Sequence, residues 1–322
     1  MTRKITLALL AALFCGTTFA APEKAECIAP AKPGGGFDLT CKLGQAGLQM
    51  GKFIDAPLRI TYMPGGIGAV AYNTVIAQRP DEVGTITAFS GGSLLNLAVG
   101  KFGRYNVNDV KWLVGIGADY GSVSVRVDSP YKTLKDLIEA LKVDPTKVVM
   151  GAGGSVGSQD WMKSALVAKT AGVNYKNMRY VAFEGGGEAL TALLGGHVHA
   201  YFGDASEVGE YVKSNKVRVL AVFSADRLPG ILANVPTAKE QGYDVQWPII
   251  RGFYVGPKVS DADYKWWVAT FDKMLAMPEF AKQREAVGLY PFNLTGAKLD
   301  AYVKDQVKKY GELAAEFGLV AK

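Results

Sequence analysis

Short apolar runs and amphipathic segments take turns along almost the whole of this chain. β-Branched or aromatic runs at residues 26–29, 58–62, 85–89, 147–150, 179–183, 199–202 and 217–223 read as strands. Between several of them, at residues 39–50, 69–78 and 161–170, apolar positions recur at helical spacing. Alternation of this kind makes mostly parallel sheets covered by helices, so the expected class is α/β. Thr133 with Asp136, and Ser260 with Asp263, have the spacing of helix-start capping boxes. From residue 294 a long amphipathic helix is expected, with Leu299, Val303, Val307, Tyr310 and Leu313 as core-packing positions.

The first 20 residues stand outside this pattern. Arg3 and Lys4 precede an apolar run from residue 5 to 14, and small residues follow up to Ala20. This reads as a secretory signal peptide cut after Ala20, so the mature chain is expected in the periplasm. The alternative, a membrane anchor, needs ~20 apolar residues, about twice the length of this run. Loss of Arg3 and Lys4 lowers the formal charge from +6 to +4. That excess is spread out, without basic runs interleaved with aromatic residues, so no nucleic-acid partner is expected. A mild positive charge suits small acidic ligands.

About 300 mature residues exceed one core of ordinary size, which argues for two domains. The Pro-rich piece at 227–248 and the stretch at 115–124 read as the two crossings between them. The expected division is a signal at 1–20, a discontinuous first domain of 21–121 plus 248–322, and a second domain of 122–247. Cys15 leaves with the signal, which leaves Cys27 and Cys41. An even pair in an oxidising compartment suggests a disulfide, with two buried thiols as the alternative. Neither these cysteines nor His197 and His199 have metal-ligand spacing, so neither metal nor cofactor is expected.

Four Gly-rich segments fall at the ends of expected strands: "PGGGFD" at 33–38, "PGGIGA" at 64–69, "GAGGSVGSQD" at 151–160 and "FEGGGE" at 183–188. A helix start leaves N–H groups unpaired and carries partial positive charge, and glycine lets a ligand come close to that backbone. In open α/β sheets ligands bind beyond the carboxyl ends of strands, where these junctions lie. Two junctions in each domain suggest a cleft whose walls both present donors to an anion. Two enzyme readings use the same residues. "GIGAVA" fits a dinucleotide fingerprint, but the acidic pair Asp81 and Glu82 sits closer than that site needs. "GGSVG" fits a nucleophile elbow at Ser155, with His197 or His199 and Asp160 or Asp204 as partners, though a hydrolase of that order needs a His further downstream. A simpler reading makes Ser155 or Ser158 the cap of the next helix.

The succession of Pro30, Gly34-Gly35-Gly36-Phe37-Asp38, Pro64-Gly65-Gly66-Ile67-Gly68, "FSGGS", "VAFEGGGEALTALLGGHV" and "VRVLAVFSADRLPGILANVPTAKEQGY" resembles the extracytoplasmic receptors of tripartite tricarboxylate transporters, the TctC or Bug type. The resemblance covers essentially the whole mature chain. It implies a hinged two-domain periplasmic binding protein, a non-catalytic monomer that captures an organic acid and delivers it to the transporter's membrane subunits. Phe37, Asp160-Trp161, Lys32 and Arg251 depart from the commoner pattern and look like the tricarboxylate-binding branch, whose usual ligand is citrate. The same fold could take a dicarboxylate or an aromatic acid. The resemblance places backbone donors at Gly34, Gly35, Gly36, Phe37 and Asp38, and at Gly65, Gly66, Ile67, Gly68 and Ala69. Ser90, Ser93, Ser155 and Ser158 are the expected hydroxyl donors. Arg251 is expected either as a bidentate clamp on a carboxylate or in a salt bridge between domains.

Overall fold

The computed structural model describes Pro22 and residues 24–319. The leader expected at 1–20 and its cleavage site lie outside the described residues. In chain order the first elements are β1 (Glu26–Ala29), α1 (Gly36–Met50), β2 (Arg59–Tyr62), α2 (Ala69–Gln78), β3 (Thr85–Ser90), α3 (Gly91–Ala98) and β4 (Lys111–Arg126). There follow α4 (Leu134–Val143), β5 (Val149–Gly153), α5 (Gln159–Thr170), β6 (Arg179–Phe183), α6 (Gly186–Leu194), β7 (Ala200–Asp204), α7 (Ala205–Lys213) and β8 (Val217–Val222). The chain ends with β9 (Pro248–Val255), α8 (Asp261–Leu275), α9 (Pro278–Ala286), β10 (Leu294–Thr295) and α10 (Gly296–Glu316).

The strands form two sheets that share β4. In one, β1 lies parallel to β2 and β3, and β9 runs antiparallel between β3 and the first half of β4. In the other, β5 lies parallel to β6 and β7, while the second half of β4 pairs antiparallel with β7 and β8. Each sheet carries two buried clusters, and its edge strand, β2 or β6, is largely exposed. The first is covered by one cluster with Ile86, Phe253, Trp267 and Phe271 and another with Tyr72, Phe89 and Trp112. The second is covered by clusters with Met150, Phe202 and Phe223, and with Leu190, Tyr201 and Val219. Two sheets, each with its own pair of clusters, make two lobes, α/β as the alternating pattern implies, but with parallel and antiparallel pairs mixed in each sheet where mostly parallel ones were expected.

The stretch 115–124, expected as an irregular crossing, is instead the middle of the 16-residue β4. Gly115, Gly117 and Gly121 weaken its strand signal. Each lies where a neighbour presses on the strand: Phe292 over Gly115, Leu289 over Gly117, and Phe223 with Lys163 over Gly121. The capping box expected at the head of α4 forms, with Thr133 accepting from the Asp136 N–H and Asp136 from the Thr133 N–H, whereas at the head of α8 only half of it forms, Ser260 accepting from the Asp263 N–H. α10 begins in the first lobe, with Leu299 and Val303 in the core beside Trp112, and ends in the second, with Ala314 and Phe317 in the core beside Met162. Cys27 on β1 and Cys41 on α1 are joined, with Cα atoms 5.8 Å apart.

Candidate functional site

The glycine junctions meet in pairs across the two lobes. A Cβ on Gly187 would stand 2.7 Å from the carbonyl carbon of Gly34 and the oxygen of Pro33, and one on Gly35 would stand 3.3 Å from the amide nitrogens of Gly186 and Gly187. Backbone therefore packs on backbone where the β1–α1 and β6–α6 turns face each other. The β2–α2 turn meets the β5–α5 turn through a side chain instead, Ile67 Cγ1 lying 2.8 Å from where a Cβ on Gly154 would stand. Ile67 has φ 48° and ψ 55°, a left-handed conformation costly for a β-branched residue. It is held between Gly66 and Gly68, both with positive φ.

Two cavities lie beneath these contacts, and Ile67 and Ser158 line both. The inner one, about 40 Å³, is bounded by Gly35, Gly36 and Phe37 of the first lobe, by Ser90, Gln159, Asp160, Asp204 and Glu207, and by Arg251. The outer one, about 570 Å³, is bounded by Lys32, Gly66, Asn96 and Lys101 on one side and by Gly154, Ser155, Phe183, Glu184 and Glu188 on the other. The outer cavity is bridged by Lys32 to Glu188 at 2.8 Å, and by Lys101 Nζ to the Val156 carbonyl oxygen at 2.8 Å. Among the described residues Lys101 has no carboxylate partner, and burial lowers its pKa.

A chain of buried charges floors the inner cavity. Arg251 donates from Nε and Nη2 to Asp119 Oδ2 at 2.9 and 2.6 Å, and from Nη2 to Asp204 Oδ2 at 2.7 Å. Lys163 holds the other oxygen of Asp204 at 2.7 Å and approaches Asp160 Oδ1 at 2.7 Å. Glu207 accepts from the Gly36 N–H at 2.6 Å, from the Asp204 N–H at 3.3 Å and from the Tyr201 hydroxyl. Burial pushes the Asp160 carboxyl up to about 6 against the opposing pull of Lys163. Desolvation, then the charge of Asp204, pushes Glu207 up to about 7. Burial acts on Asp204 too, but Lys163 and Arg251 outweigh it and hold this carboxyl below its ordinary value.

The residues singled out from sequence divide by position. Gly35, Gly36, Phe37, Ile67, Ser90, Ser158 and Arg251 line the inner cavity, and Gly66, Ile67, Ser155 and Ser158 the outer. Gly34, Asp38, Gly65, Gly68, Ala69 and Ser93 are not among the residues lining either one. Asp38 braces the first loop, accepting from the Gly34 N–H at 2.9 Å and from Tyr62 at 2.9 Å. Ser90 and Ser93 accept through their hydroxyl oxygens in the capping box of α3. Ser158 caps α5 and donates to the Gly153 carbonyl oxygen. Arg251 makes the ion pair through Nε and Nη2, to Asp119 and Asp204, while among the described residues its Nη1 makes no hydrogen bond and the side chain lines the inner cavity. The serine-hydrolase grouping does not assemble. Ser155 has Lys101 beside its hydroxyl at 3.4 Å, whereas His199 Nδ1 accepts from the Val149 N–H at the opposite end of β5.

Sequence reading did not single out Asp119, Gln159, Lys163, Glu207 or Lys101. Asp204 and Glu207 do carry a signal, a capping-box spacing directly after a strand. Lys163 carries none, because an isolated Lys in a helix ordinarily lies in solvent.

Two α/β lobes joined by a shared strand, closed over a cleft at the carboxyl ends of their strands, define a solute-binding protein. Residues 44–319 match the family described as "Tripartite tricarboxylate transporter family receptor", and the chain belongs to that family. A similar protein, the UPF0065 protein in the gbd 5' region of Cupriavidus necator, is 26% identical over 278 residues, 83% of this chain and 80% of that one. The periplasmic binding protein BugD superimposes with a TM-score of 0.83 at 21% identity, covering 94% of this chain and 100% of the other. MatC from Rhodopseudomonas palustris with bound malate superimposes with a TM-score of 0.79 at 19% identity, covering 90% and 98%.

Proposed function

We propose that this protein is a non-catalytic periplasmic receptor that encloses one small organic acid between its lobes and presents it to the membrane subunits of a tripartite transporter. The lobes of this reading are residues 21–121 with 248–322, and 122–247, the end of α10 being shared. The observation that carries it is Lys101: an ammonium without a carboxylate partner, reaching from the first lobe to the second at the wall of a 570 Å³ cavity. That volume suits a small metabolite. A carboxylate placed beside Lys101, Ser155 and Asn96 would gain a charge-assisted hydrogen bond and contacts to both lobes at once.

Citrate is the acid suggested by the sequence, and malate is bound by one of the similar structures. The lining argues for an acid with few carboxylates, because Glu184 and Glu188 share the outer cavity and only Lys101 is left unpaired there. Calorimetry with mono-, di- and tricarboxylates tests this. Binding of at least one acid is expected, weakened about tenfold or more by Lys101→Ala, the usual loss for a charged hydrogen bond. Binding of citrate that survives Lys101→Ala unchanged would move the anion site elsewhere.

A further inference from the structure

The expected anion site at the head of α1 is already filled. Its first N–H, that of Gly36, donates to Glu207 Oε1 at 2.6 Å, and Glu207 belongs to α7 of the opposite lobe. A carboxylate of the protein itself thus stands where a ligand carboxylate would otherwise be drawn by the helix terminus. Around it, the four carboxylates of Asp119, Asp160, Asp204 and Glu207 face only two cations, Arg251 and Lys163. Both cations are wholly or almost wholly buried and committed to those acids.

One acceptor in the wall lacks a donor. Gln159 Oε1 has no hydrogen-bond partner among the described residues, although Gln159 is more than nine-tenths buried and lines the inner cavity, while Asp160 Oδ1 faces the Lys163 ammonium at 2.7 Å. Buried polar atoms are rarely left so, since each unmade bond costs about 1–3 kcal/mol. A cavity of about 40 Å³ has room for one small head group. A carboxylate entering it would meet Asp160, Asp204 and Glu207, with Lys163 and Arg251 each already paired to two acids. An ammonium would bring three donors and offset the excess negative charge.

We propose that the solute is amphoteric, with a protonated amine seated in the inner cavity against Asp160 and Glu207 and a carboxylate reaching Lys101 in the outer one. This rests on the receptor reading above and names the class of solute within it. The raised proton affinity of Asp160 and Glu207 is what an acid-rich pocket awaiting a cation shows.

The test is calorimetry on the whole mature protein with pairs of equal length: 4-aminobutyrate against succinate, 5-aminopentanoate against glutarate, 6-aminohexanoate against adipate. At least one amino acid is expected to bind tenfold or more tightly than its partner diacid. Asp160→Asn, nearly isosteric, is expected to weaken that amino acid tenfold or more while leaving any diacid unchanged or tighter. A diacid that outbinds its amino acid in every pair overturns the proposal, as does equal weakening of both by Asp160→Asn. Binding of citrate or another plain acid with no amino acid bound overturns it and leaves the receptor reading standing; no binding by any of these compounds removes both. Should Asp160→Asn fail to fold, the paired comparison on the unaltered protein decides alone.

Discussion

Arg251 on β9 and Asp204 at the head of α7 meet where the two sheets join, Nη2 to Oδ2 at 2.7 Å, both almost wholly buried. The contact lies between strands from different lobes, with Asp119 of the shared β4 on its other flank. Removing one partner from a buried network leaves uncompensated charge and costs about 3–5 kcal/mol. Arg251→Ala is therefore expected to lower the urea midpoint markedly, and Arg251→Lys to recover only part, because an ammonium cannot serve both acids with a planar fork. Unchanged stability in Arg251→Ala, with binding alone lost, would return Arg251 to the role of ligand clamp.

Glu207 and Asp160 govern how stability changes with pH. Their folded pKa values, about 7 and about 6, lie above the unfolded values, which are near ~4. The folded chain keeps protons that the unfolded chain has released, so this stabilisation is full below about pH 4 and is lost as pH rises through the folded values. The thermal midpoint is expected to fall between about pH 4 and 7, and Glu207→Gln, which cannot ionise, should flatten that fall. A midpoint that rises over this window in the parent protein would contradict the assignment.

Gly187 offers a test of closure that touches no charge. Its Cβ would strike the Pro33–Gly34 backbone across the cleft, so Gly187→Val should hold the lobes apart while each core stays intact. Small-angle scattering is expected to give a larger radius of gyration than for the parent, and ligand affinity should drop because donors on the two walls no longer converge. An unaltered radius with full affinity would show that the contact yields easily.

The bond between Cys27 and Cys41, 14 positions apart, ties β1 to α1 beneath the first glycine junction. Closing a loop of about 15 residues is worth roughly 3 kcal/mol by chain entropy. Reduction should lower the thermal midpoint, and mass analysis of the alkylated, non-reduced protein should find no free thiol. Two alkylated cysteines would remove this bond from the account.

Much of the frame was legible because local signals and global fold agree. The run 26–29 is β1, the run 69–78 is α2, and the Gly-rich turns sit between strand and helix. β4 was not legible, because glycines chosen for close packing imitate a loop. The charged floor was not legible either. Asp119 lies 132 positions from Arg251 and Asp204 47 positions from it, so no window of sequence holds the group. Ser90 and Ser93 carry a local role that their place at a strand end did not signal: their hydroxyl oxygens accept from backbone N–H groups at the start of α3.

α10 starts on one hydrophobic core and finishes on the other, its last residues packed against Trp161 and Tyr175 through Phe317. The lobes are thus held together at a third place besides β4 and the segment that leads into β9 at Pro248. A body tied at three places loses the freedom to swivel and keeps mainly the freedom to bend, so opening must strain or release the tail of this helix. The carboxyl end of the chain is in effect part of the hinge, and a fusion or truncation made there would alter the mouth of the cleft without touching a single residue that lines it.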